Sequence, residues 1–356
     1  MEAGQGIPHD PYEVARDFFE NLSRWFFVVP IINGHTCLMK PLLIALSFAA
    51  FISLVGCSAG GDPPPVQDRM FTDVFASSSA GHVYHSTDLG LTWSQDSLGL
   101  PITGPIKSMA LRSANILAAT DSAVFESSDN GKTWKNCGAG YFGIVSSIIS
   151  DGDAIYECNA EGLYRSTDNG NFWQLLQQGA YQSLTKFGPY FFANVLNSIG
   201  VERSPEGGGV SWKHIALESV LRSAPRTLAA SSTYLYAGTN GNGAFRSSDN
   251  GNTWESLYNI NTAGVGKLAA WGSHVVMSTT GLDIYTSSDN GDNWTKVSNL
   301  GRTGNGSNLA LTLDHQYGFA GNSGKWLYRS DNYGSSWTLV SVSASDFTPI
   351  TCVITK

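Results

Sequence analysis

Five aspartates, Asp88, Asp129, Asp168, Asp249 and Asp289, stand in near-identical settings, each two residues after a Ser, two before a Gly and five before a Trp. Glu206 and Asn332 hold the same place in two more divergent copies. A set of carboxylates could supply general acids and bases for hydrolysis, or oxygen ligands for calcium. The local sequence argues against both. Asp beside a Gly able to adopt positive φ builds a tight turn, in which the carboxylate accepts hydrogen bonds from its own backbone N–H groups. Oxygens used in that way are not free for a ligand, so these acids are expected to be structural. The partner tryptophans, Trp93, Trp134, Trp173, Trp212, Trp254, Trp294 and Trp337, are expected to begin an outer strand and bury their large apolar faces across a sheet.

The segments that must position these turns repeat with them. Ser86-Thr-Asp88-Leu-Gly90-Leu-Thr92-Trp93 returns as Ser127-Ser-Asp129-Asn-Gly131-Lys-Thr133-Trp134, and five further copies follow, each about 40 residues on from the last. The copy with Glu206 carries one extra residue. In the fifth repeat, Arg226-Thr-Leu-Ala-Ala, Tyr234-Leu-Tyr-Ala-Gly-Thr and Ala244-Phe-Arg-Ser are short apolar runs broken by Gly, Asn and Ser. With the segment after the Trp they make four strands per repeat, the composition of a propeller blade. The first repeat lacks its innermost strand, whereas Pro349-Ile-Thr-Cys-Val-Ile-Thr at the C-terminus matches Pro105-Ile-Lys-Ser-Met-Ala-Leu of the second. The expected fold is therefore all-β, a single seven-bladed β-propeller of four-stranded blades over residues 70–356, with its first blade completed by the C-terminal strand. The pattern S-x-D-x-G-x-T-W resembles the Asp-box, or BNR, repeat. That resemblance implies turns spread around the blade periphery, where they cannot converge on one substrate.

Composition excludes some function classes. The chain has 39 Gly, 12% aromatic and 14% charged residues, and a formal net charge of −8, which argues for turn-rich β structure and against a nucleic-acid partner. Beyond Cys37 and Cys57, the cysteines Cys137, Cys158 and Cys352 form no CxxC and have no His at zinc spacing. His82, His85, His214, His274 and His315 are scattered over different repeats. No metal or other cofactor is expected, and a monomer is.

The front of the chain reads as an address. Met39-Lys40-Pro41 precedes LLIALSFAAFISLVG, an apolar run ending at Cys57 and shorter than a spanning helix needs. Leu54-Val55-Gly56-Cys57 resembles the lipobox of bacterial lipoproteins, which implies cleavage before Cys57 and its acylation. Residues 1–38 are then expected to be a mis-assigned leader, 39–56 a signal peptide, and 57–69 the lipidated Cys with a Gly- and Pro-rich tether. The expected location is the bacterial cell envelope, lipid-anchored, on the periplasmic or outer-membrane and cell-surface side.

Resemblance to Asp-box propellers offers several functions. Sialidases carry an arginine cluster with an Arg-Ile-Pro motif, absent here, and Arg165, Arg203, Arg246 and Arg329 each precede a box Ser or its counterpart, which marks a repeat feature. Xyloglucanase-type glycosidases pair two propellers around a cleft, and need two carboxylates; Asp121, Glu161, Asp283 and Asp346 are the candidates in loops opposite the boxes. Sortilin-type receptors and photosystem II assembly factors are non-catalytic relatives, the latter with a basic patch. Tyr141, Phe142, Arg222, Tyr258 and Arg302, together with Glu161 and Asp283, are the candidate binding face. The reading is a membrane-tethered, non-catalytic scaffold that presents this face to a protein or glycan partner. A glycan-active enzyme and an assembly factor for a membrane complex are the alternatives.

Overall fold

In the computed structural model, each repeat folds as a four-stranded antiparallel meander, and the recurring turn decides how one meander meets the next. The structure describes residues 72–356 except 102–103, 122, 138–142, 218–222, 258–263, 282, 300–307, 323–325 and 341–348. The turn of the second blade shows the logic. Ser127 Oγ donates to Asp129 Oδ1 at 2.8 Å while accepting from the Gly131 N–H at 2.8 Å. Asp129 also accepts from the Thr133 N–H at 2.8 Å and the Thr133 hydroxyl at 2.6 Å. The Trp134 indole N–H closes the motif on the Gly131 carbonyl at 2.8 Å. Asn130 and Gly131 both have positive φ, 60° and 83°, which is why Asn and Gly recur there.

Two copies solve the same problem with other groups. Asn332 accepts from Ser330 Oγ and the Ser336 N–H, both at 2.9 Å, and its own amide donates to Ser336 Oγ, reversing the direction of the Thr-to-Asp bond. In the fourth blade the extra residue changes the turn. Ser204 Oγ donates to the Pro205 carbonyl at 2.7 Å, away from Glu206, and the buried Trp212 Nε1 has no partner. Glu206 therefore does not do what Asp129 does.

Each sheet contains four strands. Blade one pairs β28 (Ile350–Thr355), β1 (Val74–Ser78), β2 (Val83–Ser86) and β3 (Ser94–Gln95), in that order. The C-terminal strand thus supplies the missing innermost strand, with Val74 opposite Thr355 and Phe75 opposite Ile354. The other six blades run in sequence order from inner to outer edge. Their inner strands are β4 (Ser108–Arg112), β8 (Ser147–Asp151), β12 (Tyr181–Phe187), β16 (Pro225–Ala230), β20 (Val265–Trp271) and β24 (Asn308–Asp314). Neighbouring inner strands contact one another around the ring, β28 lying between β24 and β4.

The core lies between blades. Along β1, Phe75 packs with Ile106, Met109 and Ile116 of the second blade, whereas Val74 and Ala76 pack with Phe319 and Leu327 of the seventh. This follows from the two-residue period of a strand, which sends alternate side chains to opposite faces. The same division recurs at each junction, down to Val276 and Ile284 against Leu313 and Ala320. The box Gly is seated on the preceding blade: a Cβ on Gly251 would lie 2.9 Å from the Phe192 ring. Arginines before the box reach forward instead. Arg203 donates to the Asn250 carbonyl at 2.7 Å, Arg246 to the Asn290 carbonyl at 2.9 Å and Arg329 to the Leu89 carbonyl at 2.7 Å, each entering the turn of the next blade. These guanidiniums also lie over Tyr190, Tyr234 and Tyr317 of their own blades.

Two predictions follow from the joint. Gly251→Ala adds the clash with Phe192 to the strain of positive φ, whereas Gly152 (φ 56°) faces open space. Gly152→Ala is expected to lower stability by about 1 kcal/mol and Gly251→Ala by about 3, measured by chemical denaturation. The second prediction concerns acid. The Thr133 hydroxyl and N–H hold the Asp129 carboxyl at about 2, against an ordinary 3.8, and the Asn293 backbone and amide do the same for Asp289. Carboxyls lowered on folding stabilise the fold above their ordinary value, and that support is lost as pH falls toward about 2. The melting temperature should fall between pH 4 and 2, and less steeply in Asp129→Asn.

Candidate functional site

The two ends of the ring carry different loops. Turns from first to second strand and the box turns, from third to fourth, share one face. The connections from second to third strand and from blade to blade share the other. On that loop face the central channel opens into a mouth of about 560 Å³, within the usual range for ligand sites.

A backbone irregularity shapes the mouth. In blade five the register slips between Pro225 and Thr227, which takes Arg226 out of the ladder. The same slip takes out Gln182 in blade four, Gly266 in blade six, Leu309 in blade seven and Thr351 in blade one. Lys107 and Ser146 stand at the matching place just ahead of β4 and β8, where their N–H groups donate to the Ala119 and Cys158 carbonyls. Bulges re-aim side chains at strand ends. Here six of these seven positions, Thr351, Lys107, Ser146, Gln182, Arg226 and Gly266, line the opening. The buried Asn194 supports one of them by donating to the Pro225 carbonyl at 2.9 Å, beside Arg226.

The electrostatics are one-sided. Lys107, Arg226 and Lys267 reach the mouth from blades two, five and six. Lys107 has a partner in Asp121 at 3.4 Å, both groups being partly exposed, and Arg226 donates to Asn240 Oδ1 at 3.1 Å. Lys267 is exposed to the channel, yet the surrounding inner strands crowd its side chain. That enclosure pulls its ammonium below the ordinary 10.5, with Arg226 adding to the effect and Cys352 opposing it. Around the cations lie the hydroxyls of Ser79, Ser146, Thr280 and Thr351 and the apolar Ile144. Ile144, Leu196 and Trp326 are exposed on this same face. The arrangement can hold an anion against hydroxyl donors, with aliphatic surface beside it.

The sequence-derived candidates fall elsewhere. Glu161 is exposed in a turn of blade three, its backbone N–H held by Asn159 Oδ1. Asp283 opens β22 (Asp283–Ser287) and pairs with Lys296 Nζ at 2.8 Å within its own blade. Neither lines the mouth, and among the described residues the structure brings no two of Asp121, Glu161 and Asp283 together. Cys57, Tyr141, Phe142, Arg222, Tyr258, Arg302 and Asp346 lie outside the described residues. His85 is tied to Asp73 at 2.5 Å and His214 to Glu202 at 3.2 Å, and no group of His, Cys, Asp or Glu among the described residues could hold a metal. Cys137, Cys158 and Cys352 are free thiols, and burial pushes the Cys137 thiol up to about 11. Sequence reading missed Lys107, Arg226 and Lys267. The available signal was that Lys107, Arg226 and Thr351 each follow a Pro by one or two residues at the start of an inner strand.

Solved structures share this fold. A YCF48 structure, bound to a D1 peptide, is similar over 78% of this chain and 94% of its own, at 15% identity and a TM-score of 0.59. YCF48 from Cyanidioschyzon merolae is similar over 67% of this chain and 85% of its own, at 18% identity and 0.53. The GH74 xyloglucanase from Xanthomonas campestris matches over 80% of this chain at 15% identity and 0.61, but the chain spans only 52% of that enzyme. These likenesses establish the fold alone. No protein-family model and no curated protein matches the sequence.

The mouth generates a pH prediction. An ammonium with a lowered pKa loses its charge earlier as pH rises. Affinity for a polyanionic probe is therefore expected to fall at a pH below that at which free lysine titrates, and Lys267→Arg should remove this early fall. Fluorescence anisotropy of a labelled poly-glutamate across the alkaline range reads it. The same shift makes Lys267 bind fewer protons in the folded than in the unfolded chain, so its contribution to stability grows through that window.

Proposed function

We propose that this chain is a membrane-tethered, non-catalytic propeller that holds an acidic segment of a protein partner at its channel mouth. The observation that carries the reading is the convergence of Lys107, Arg226 and Lys267 on one cavity, in a chain whose net charge is −8. Cations concentrated in a concave site steer and hold anionic partners even when the molecule as a whole is acidic. Exposed Ile144 in the mouth, with Leu196 and Trp326 exposed on the same face, adds the apolar contacts that a peptide would use and a small anion would not. The YCF48 structure with a D1 peptide supports the choice of a protein partner, since it is a fold of this kind carrying a peptide.

The first described residues lie on the opposite face from the mouth. Thr72, the first described residue, accepts from the Leu89 N–H in the box turn of blade one and donates to the Lys356 carbonyl. The chain thus enters the propeller on the box face.

Carbodiimide coupling of the full chain in its native membrane tests the proposal, because it joins amines only to carboxylates in contact with them. The expected product is a single dominant partner joined through Lys107 or Lys267 to an acidic stretch. Arg226→Glu and Lys267→Glu should each weaken capture about tenfold, equivalent to about 1.4 kcal/mol. Capture that is unchanged in both charge reversals, or that runs through lysines on the box face, would sink the idea.

A further inference from the structure

On the box face, a second site is built around a tryptophan that the repeat does not require. Trp271 ends the inner strand of blade six. The positions that end the other inner strands hold Arg112, Asp151, Phe187, Ala230, Asp314 and Thr355, so no feature of the blade demands an indole there. Trp271 is nonetheless 38% exposed, and it is distinct from the box residue Trp294 of the same blade. One face of its ring rests on His315 of blade seven, with centroids 4.1 Å apart. His315 is itself held by Asp314 at 2.7 Å, and Asp314 accepts from the Thr355 hydroxyl at 2.6 Å. The indole is therefore fixed in place before any ligand arrives.

Trp271 also lines a groove of about 340 Å³ between the first turns of blades five and six. The opposite wall is Ser231 and Ser232, in a turn of the same length as the one that carries Trp271: Ala230 pairs with Leu235 as Ala270 pairs with Val275, so Ser231 holds the place of Trp271. The floor is small, Ala230 and Ala270, and Gly272 has no heavy atom within 4 Å of where a Cβ would stand. No charged side chain lines the groove, and its surface is mainly apolar with serine hydroxyls along one side.

We propose that this groove binds a pyranose ring of a neutral glycan. A sugar ring carries C–H bonds on its face and hydroxyls around its edge. A clamped indole receives the former and the Ser232 hydroxyl on the opposed wall the latter, Ser231 Oγ being taken by the Thr233 and Tyr234 N–H groups of its own turn. A cationic ligand is disfavoured by the lack of any carboxylate in the lining, and an anionic one by the lack of any cation. The site stands on the face opposite the channel mouth and shares no residue with it, so it does not depend on the protein-partner reading.

The test is a neutral-glycan array probed with the full chain in detergent, followed by calorimetry with the best oligosaccharide. Two variants attack the site differently: Trp271→Ala removes the shelf, and Ser232→Trp fills the groove while leaving the shelf in place. Each should weaken binding about tenfold or more, whereas Lys267→Glu at the other face should leave it unchanged. The proposal is overturned if no neutral glycan is retained, if both variants bind like the parent, or if the groove variants instead abolish capture of a proline- or aromatic-containing peptide.

Discussion

The seat of each box turn on the blade before it is the contact from which the rest of this molecule follows. A four-stranded sheet alone leaves both faces apolar, and here both are covered only because blades stack face to face around a ring. The box turn sets the spacing of that stack. Its Gly lets the backbone approach the previous blade's aromatic or aliphatic side chains: a Cβ on Gly251 would stand 2.9 Å from Phe192, and one on Gly291 2.9 Å from Leu257. The Asp and Ser hold the turn in a conformation that exposes this Gly rather than hiding it. Because every blade is both a seat and a tenant, the ring must close, and the C-terminal strand β28 closes it by pairing with β1.

Closure in turn creates the functional geometry. Seven inner strands converge on one axis, and the bulge at the start of most of them turns a single residue toward the opening. Residues far apart in sequence, such as Lys107 and Lys267, thereby share one small volume. The fold demands nothing of these positions beyond the backbone slip, which is why they differ freely between blades: Thr351, Lys107, Ser146, Gln182, Arg226 and Gly266. The box positions show the reverse. There the Ser and Asp oxygens are taken by the turn's own N–H and hydroxyl groups, so the residues recur and those carboxylates are not left over for a ligand.

Departures from the repeat mark places where the ring has been altered locally. In blade four the extra residue sends Ser204 to the Pro205 carbonyl and leaves the Trp212 indole N–H buried without a partner, yet the sheet and its packing persist. Six other turns and continuous inter-blade packing hold the ring around the weak copy. Trp271 is a departure of another kind, a large aromatic at a strand end that elsewhere carries Arg, Asp, Phe, Ala or Thr. Of these strand-end residues, Phe187 joins an inter-blade core cluster, whereas Trp271 stays 38% exposed.

The sequence by itself determined the architecture of residues 72–356. Turn chemistry is local: Ser127, Asp129, Gly131 and Trp134 interact within eight residues, so their spacing carries the whole motif, and seven copies count the blades. The C-terminal clasp was legible for the same reason, since Pro349 to Thr355 repeats a pattern whose neighbours are missing at the front. The cationic mouth and the Trp271 groove were decided only by tertiary structure. Arg226 and Lys267 belong to different blades, and a one-residue slip in each strand controls which side chain reaches the axis. Such a slip depends on how strands pair, and its trace in the sequence is no more than the Pro shortly before Lys107, Arg226 and Thr351. Glu161 and Asp283 looked equivalent as loop acids, but the fold sends one to solvent and the other to Lys296. Which loop residues meet is set by closing the ring, a long-range constraint that no local pattern encodes.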